Sequence, residues 1–169
     1  MLPVSNAVGI AAVATATVTA AIIDLRTRRV PNALTAGIAV VGVGLAASGL
    51  GRVGLLASIA GCLLGFALML PGHLIGATGG GDVKLLAAVG TLLGPGATLR
   101  AFVATAIAGG LIAIVVAVRR GRLAATLAGT GVLITSVGFD TSDIRDTKHD
   151  NRFAYAPAIA VGAIVAALI

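Results

Sequence analysis

The sequence predicts an all-α membrane protein of about six transmembrane helices. Of its 169 residues 58% are hydrophobic and only 11% are charged, and the mean hydropathy is +1.09. A soluble domain of this size cannot bury so much apolar surface, so the solvent of this chain is a lipid bilayer. The first 23 residues are mostly apolar and contain no Lys or Arg. A secretory signal peptide begins with a positively charged region, so a retained first helix is favoured over a cleaved signal peptide. We expect one membrane-embedded domain over residues 1–169.

The individual helices follow from apolar runs separated by helix breakers. A membrane-spanning helix needs roughly 20 mostly apolar residues. The breakers are Pro31 with Asn32, Gly51 with Arg52, the glycine loop 76–81 and the GPG triplet 94–96. The predicted helices are, in order, 4–24, 33–50, 53–72, a shorter one at 82–93, 97–118 and 153–169.

The segment 122–139 is also apolar, but it is rich in Thr, Gly and Ser, so charge placement is needed to locate it. If it does not span, six helices with an external amino terminus leave only Arg52 and Arg100 of the 12 basic residues outside, a split of 10 to 2. If it does span, the three basic residues within 145–152 move out and the split weakens to 7 to 5. The positive-inside rule therefore favours an interfacial or re-entrant helix here.

Charge and composition also limit the classes of partner and cofactor that the chain is expected to bind. The net charge of +6 is explained by orientation toward anionic membrane lipids. Aromatic residues make up 3% of the chain, which leaves no stacking platform for nucleic acid. His73 and His149 have no ligand partner at helical spacing, and Cys62 is the only cysteine, so we expect no metal site and no cofactor. The sequence does not define an oligomeric state.

Acidic residues are scarce: there are six Asp and no Glu. Four of them lie in the hydrophilic stretch after residue 139 and are interpreted as solvated surface charges, namely Asp140, Asp143, Asp146 and Asp150. The other two adjoin apolar helices. Asp24 ends the first helix in AAIIDLRTRRVPN, and Asp82 opens the fourth in TGGGDVKLLAAVG. Although 58 residues separate them, the six-helix topology places both at cytoplasmic helix ends.

Each of these two acids has a simpler interpretation. Asp82 is a favoured residue type for capping a helix amino terminus, and Asp24 has Arg26, Arg28 and Arg29 within reach as surface ion-pair partners. Neither interpretation explains why two acids meet at one membrane depth, where a charge costs about 2.5 to 3.5 kcal/mol at a helix centre. A paired site explains both observations.

Two neighbouring carboxylates support a narrow chemistry. Two acids close together cannot both ionise, so one keeps its proton while the other is an anion, which supplies an acid and a base in one site. The base activates a water, and the acid protonates the scissile carbonyl and then the leaving amine. This is peptide hydrolysis without a covalent intermediate. The glycines before Asp82 permit a substrate strand to lie close to the main chain.

The stretches DLRTRRVPN and GGGDVK resemble the two catalytic motifs of the type IV prepilin peptidase family, and the ending RFAYAPAIAVGAIVA is similar to its last helix. The resemblance implies that Asp24 and Asp82 are the aspartyl protease pair. It also implies that the motif glycines and lysine are Gly79, Gly81 and Lys84, with Pro31 and Asn32 supporting the first motif. Members of the family remove the short, positively charged leader from prepilin or pseudopilin precursors at the cytoplasmic membrane face.

The chain departs from the long members of that family, which carry an amino-terminal extension with two CxxC pairs and a methyltransferase activity. Both the extension and the cysteines are missing here, so the resemblance is to short, peptidase-only forms of the tight-adherence pilus or archaeal preflagellin type, and methyltransferase activity is not expected. Two rival functions stay open. One is a small proton- or cation-coupled transporter with Asp24 and Asp82 as a relay, and the other is an assembly subunit that uses the two acids as a polar lock between helices.

Overall fold

A computed structural model describes residues 4–76, 78–119 and 155–169, and in these ranges every regular element is an α-helix. The helices are α1 (Val4–Thr27), α2 (Asn32–Ala47), α3 (Leu55–Leu74), α4 (Gly80–Arg119) and α5 (Ala156–Leu168). The all-α prediction is confirmed. The predicted interfacial helix at 122–139 and the four acids of the hydrophilic stretch lie outside the described residues.

The number six for the transmembrane helices is not confirmed. The predicted helices 82–93 and 97–118 belong to one element, α4, which is broken at Gly94 (φ 72, ψ 173) just before Pro95. Glycine adopts this positive φ without a Cβ clash, and proline lacks the N–H that a continuous helix would use, so the GPG triplet breaks the helix as its sequence predicts. We call 80–93 and 95–119 the first and second segments of α4.

Three of the described helices are long and apolar enough to cross a membrane. The candidate spans are Ser5–Thr27, Leu55–Leu74 and Gly80–Val115, and α2 and α5 are shorter apolar helices. Large apolar side chains face outward on these helices, such as Leu56 at 85% exposure and Leu63 at 65%. Such a surface suits lipid and not water.

The chain divides into two compact units. The first comprises residues 1–108 and 153–169 and contains both predicted catalytic acids. The second comprises 109–152, of which 109–119 are described and are helical. The expectation of a single domain over the whole chain stays a prediction.

The first segment of α4 is the core of the first unit. All residues from 85 to 93 are buried, whichever side of the helix they face. The stretch LLAAVGTLL is apolar all round, which is the pattern of a helix enclosed by others. The short helix predicted at 82–93 is therefore the most enclosed one described.

Glycines allow the neighbouring helices to approach α4 closely. A Cβ on Gly61 of α3 would overlap the Gly90 carbonyl, and a Cβ on Gly65 would overlap the Leu86 carbonyl. Gly61 faces Gly90, whereas Gly65, further along α3, faces the earlier residue Leu86 of α4. The two helices are therefore antiparallel. Small residues at such contacts are the usual means of tight helix packing in membranes.

Two contacts define the end of the first unit opposite Asp24 and Asp82. The Arg52 guanidinium donates a hydrogen bond to the Ala167 carbonyl at the end of α5 (Nη1 to O, 2.6 Å). The Arg52 stem lies where a Cβ on Gly9, near the start of α1, would stand. We call this the Arg52 end. The break at Gly94 belongs to it, since a Cβ on Gly94 would lie 2.9 Å from Val53.

Candidate active site

Asp24 lies one turn before the end of α1, and not at the end as predicted. Its side chain is only 5% exposed. Arg28 ends the helix in the left-handed region (φ 52), with its N–H on the Asp24 carbonyl at 2.7 Å. The Thr27 hydroxyl also bonds the Arg29 carbonyl at 2.9 Å, which holds this turn. A positive φ at a non-glycine residue is uncommon and is often found near functional sites.

Asp82 is the third residue of α4, so it does not occupy the N-cap position that the simpler interpretation gave it. Gly79 precedes the helix, and its N–H donates to Asp82 Oδ2 at 3.1 Å. This reach back from the third helical residue is the acidic half of a capping box. The residue is 8% exposed. One carboxylate oxygen of Asp82 therefore has a fixed position relative to the start of the helix.

The three glycines before Asp82 have different neighbours. A Cβ on Gly79 would stand 3.0 Å from Asp82 Oδ2, so glycine leaves room for the carboxylate to fold back. A Cβ on Gly81 would stand 3.2 Å from Val30 Cβ in the turn between α1 and α2. A Cβ on Gly80 would meet only the exposed His73 ring at 3.4 Å. Space is therefore tightest at the two glycines that the resemblance assigns to the motif.

The first motif and the second motif are joined by a hydrogen bond. Pro31 precedes α2 in an extended conformation, and Asn32 is the first residue of that helix. The Lys84 ammonium donates to Asn32 Oδ1 at 2.9 Å, across 52 residues of sequence. Together with the contact of Val30 and Gly81, this bond fixes the start of α4 against the α1–α2 turn.

The start of α5 contributes groups that the sequence analysis missed. The Ala156 N–H, the first of this helix, donates to Asp24 Oδ2 at 3.2 Å. Tyr155, half-buried just before the helix, lies within electrostatic reach of Asp82. The available signal was Pro157, because proline within the first turn marks a helix start. A main-chain donor leaves no trace in side-chain chemistry, so its partner was not predictable.

All the residues predicted for the site thus lie at one end of the first unit, which we call the motif end. Asp24, Gly79, Gly81, Asp82 and Lys84 adjoin it from α1 and α4, and two supporting residues adjoin it from α2, namely Pro31 and Asn32. At the start of α5 the Ala156 N–H bonds Asp24, and Tyr155 lies within electrostatic reach of Asp82. Among the residues that the structure describes, no three His, Cys, Asp or Glu side chains form a group able to hold a metal ion.

Comparison with known proteins identifies the class. The profile of the Type IV leader peptidase family matches residues 11–114, which include both acids and most of the first unit. No curated protein and no solved structure is significantly similar to the chain. The match covers more than half of the sequence, and the chain belongs to the Type IV leader peptidase family. It is therefore a peptidase, and the resemblance seen in the motifs is confirmed at the level of the family.

Proposed function

We propose that this protein is an aspartyl endopeptidase that removes the cytoplasmic leader from prepilin or pseudopilin precursors, with Asp24 and Asp82 as the catalytic pair. The observation that carries the proposal is that both acids lie near the start of α5: Asp24 accepts a hydrogen bond from the Ala156 N–H, and Asp82 is within electrostatic reach of Tyr155. Family membership supplies the reaction class.

In the proposed mechanism one of the two carboxyl groups is protonated and the other is ionised. The ionised group takes a proton from water as the water oxygen bonds to the scissile carbonyl carbon, and the protonated group donates its proton to the carbonyl oxygen. Collapse of this adduct breaks the C–N bond and delivers a proton to the leaving amine. The Gly79 and Ala156 N–H groups support this reaction by holding one oxygen of each carboxylate.

We also propose six membrane crossings, with the motif end in the cytoplasm of the cell membrane and the amino terminus outside. The break at Gly94 supports this topology, because the first segment of α4 extends from the motif end to the Arg52 end. Basic residues follow the same division: Arg26, Arg28, Arg29 and Lys84 adjoin the motif end, whereas Arg52 lies at the other.

The function is tested by incubating membranes that contain the protein with a pilin precursor encoded beside it. Mass spectrometry of the product should show a new amino terminus directly after the leader, and no product in membranes that lack the protein. Failure to process any adjacent precursor, with the protein present in the membrane, would contradict the proposed substrate class.

A further inference from the structure

A groove beside the motif end takes no part in the proposed hydrolysis. It has a volume of about 330 Å³ and lies between α2, α3 and the first segment of α4. Its polar end is the hydrogen-bonded pair of Asn32 and Lys84, and Lys84 is two residues after Asp82. From there it extends along α2 as far as Ala39, about 10 Å of helix rise.

The space in the groove results from small side chains. Ala36 and Ala39 line it from α2, and Ala87 and Ala88 line it from α4. The α4 pair is buried, so that side of the groove is fixed, while Ala36 is exposed. Its volume is at the lower end of the roughly 300 to 1,000 Å³ of ligand pockets, which suits a few side chains and not a whole helix.

The polar end has a defined chemistry. Lysine is a donor only, so Asn32 must bond Lys84 through its oxygen, and the amide nitrogen of Asn32 is directed elsewhere. The end of the groove nearest Asp82 therefore presents hydrogen-bond donors and one positive charge. A partner that fits offers main-chain carbonyl oxygens at this end and apolar side chains beyond it.

We propose that the groove binds the first apolar residues of the precursor after the cleaved bond, in extended conformation. This inference depends on the proposed function, and it defines the orientation of the substrate. The positively charged leader is repelled by Lys84, whereas the apolar stretch matches the alanine-lined surface. Peptide carbonyls that lose their helical partners around the scissile bond find donors at Asn32 and Lys84.

The first test is kinetic. The substrate is a synthetic peptide with a basic leader, a glycine and about 20 apolar residues. Ala36→Leu fills the groove from an exposed position, and we expect KM to rise roughly tenfold with kcat retained, as for a misfit in an apolar pocket. Ala47→Leu makes the same change at an exposed position of α2 outside the groove and should behave as wild type.

The second test uses the only cysteine of the chain, Cys62, which lines the groove from α3. In Asp82→Asn protein, which binds the peptide without consuming it, a membrane-permeant maleimide should alkylate Cys62 more slowly when the peptide is present. At a peptide concentration about ten times its Kd the expected slowing is roughly tenfold, because only the empty fraction reacts. A peptide with the leader and glycine alone should give no protection.

The outcomes separate the two proposals. Cleavage by wild type, a raised KM in Ala36→Leu and protection of Cys62 would support the groove. Cleavage by wild type with an unchanged alkylation rate would overturn the groove and leave the peptidase function standing. Absence of cleavage by wild type would overturn the proposed function, and this inference with it.

Discussion

At the scale of single residues, each of the two acids has one carboxylate oxygen held by a main-chain N–H, Asp24 by that of Ala156 and Asp82 by that of Gly79. Asp24 and Asp82 were predicted as a catalytic pair because acids are rare beside apolar helices, and their catalytic role stays a prediction. The donors that hold them, the Gly79 and Ala156 N–H groups, were not predictable, since every residue except proline carries an N–H and only the fold determines where it points. The sequence predicted Asp82 at the start of the helix. In the structure α4 begins at Gly80, so Asp82 is its third residue and bonds back to the Gly79 N–H.

Gly81→Ala tests whether the contact between the two motifs matters for activity. The new methyl group would stand 3.2 Å from Val30 Cβ, so α4 and the α1–α2 turn must separate slightly. Gly81 has no positive φ, so alanine is allowed by the backbone. We expect cleavage to fall roughly tenfold, because small displacements of catalytic groups are costly. The measurement is the initial rate of precursor cleavage at matched protein amounts.

Gly80→Ala is the matched control, since it is the adjacent residue in the same helical turn. Its methyl group would meet only the exposed His73 ring, which can move. It should retain near wild-type activity. Equal activity of the two variants would show that the Gly81 contact is not needed.

At the scale of helices, the sequence predicted the positions of elements better than their ends. The GPG triplet was correctly identified as a breaker, and the all-round apolar stretch after Asp82 correctly marked a helix. The helix ends were shifted by one to three residues, because capping at Arg28 and Gly79 depends on backbone conformation. Neighbouring helices could not be assigned, since small residues occur throughout the chain and only some of them are at contacts.

Gly61→Ala tests the packing of α3 on the core helix. Its Cβ would overlap the Gly90 carbonyl, and backbone cannot move aside as a side chain can. We expect a loss of stability of about 1 to 3 kcal/mol, the usual cost of overpacking. The measurement is the unfolding temperature of the purified protein in detergent.

Gly37→Ala is the control for Gly61→Ala, because nothing lies within 4 Å of a Cβ at this helical position. Alanine is the better helix former by roughly 1 kcal/mol, so this variant should be as stable as wild type or slightly more so. An unchanged unfolding temperature in Gly61→Ala would contradict the close packing of α3 and α4.

At the scale of the whole molecule, the proposed function requires the motif end and the Arg52 end to face opposite sides of the membrane. The sequence predicted this division from the six-helix count and the placement of basic residues, and it stays a prediction. The contacts with Ala156 and Ala167 place Asp24 and Arg52 at opposite ends of α5. The involvement of α5 in both ends was not predicted, because helix pairing in a bilayer has no strong sequence signature.

The proposed topology is tested with two single cysteines in a Cys62→Ser protein. Leu50 and Ile75 lie in the α2–α3 and α3–α4 connections, and both are 61% exposed. A membrane-impermeant maleimide should label Leu50→Cys in intact cells and Ile75→Cys only after lysis. The reverse pattern would place the motif end outside the cell and exclude cleavage of a cytoplasmic leader.

The proposal that Asp24 and Asp82 are the catalytic pair is tested most directly by a gel-shift assay of precursor cleavage in membranes. The assay compares wild type with Asp24→Asn and Asp82→Asn. Asp143→Asn, from the hydrophilic stretch predicted to be solvated, controls for the loss of an acid as such. We predict that both site variants insert in normal amounts and show no cleavage, while Asp143→Asn cuts like wild type, since one carboxyl group cannot serve as both acid and base. If either site variant still removes the leader, the Asp24–Asp82 pair is not the catalytic machinery.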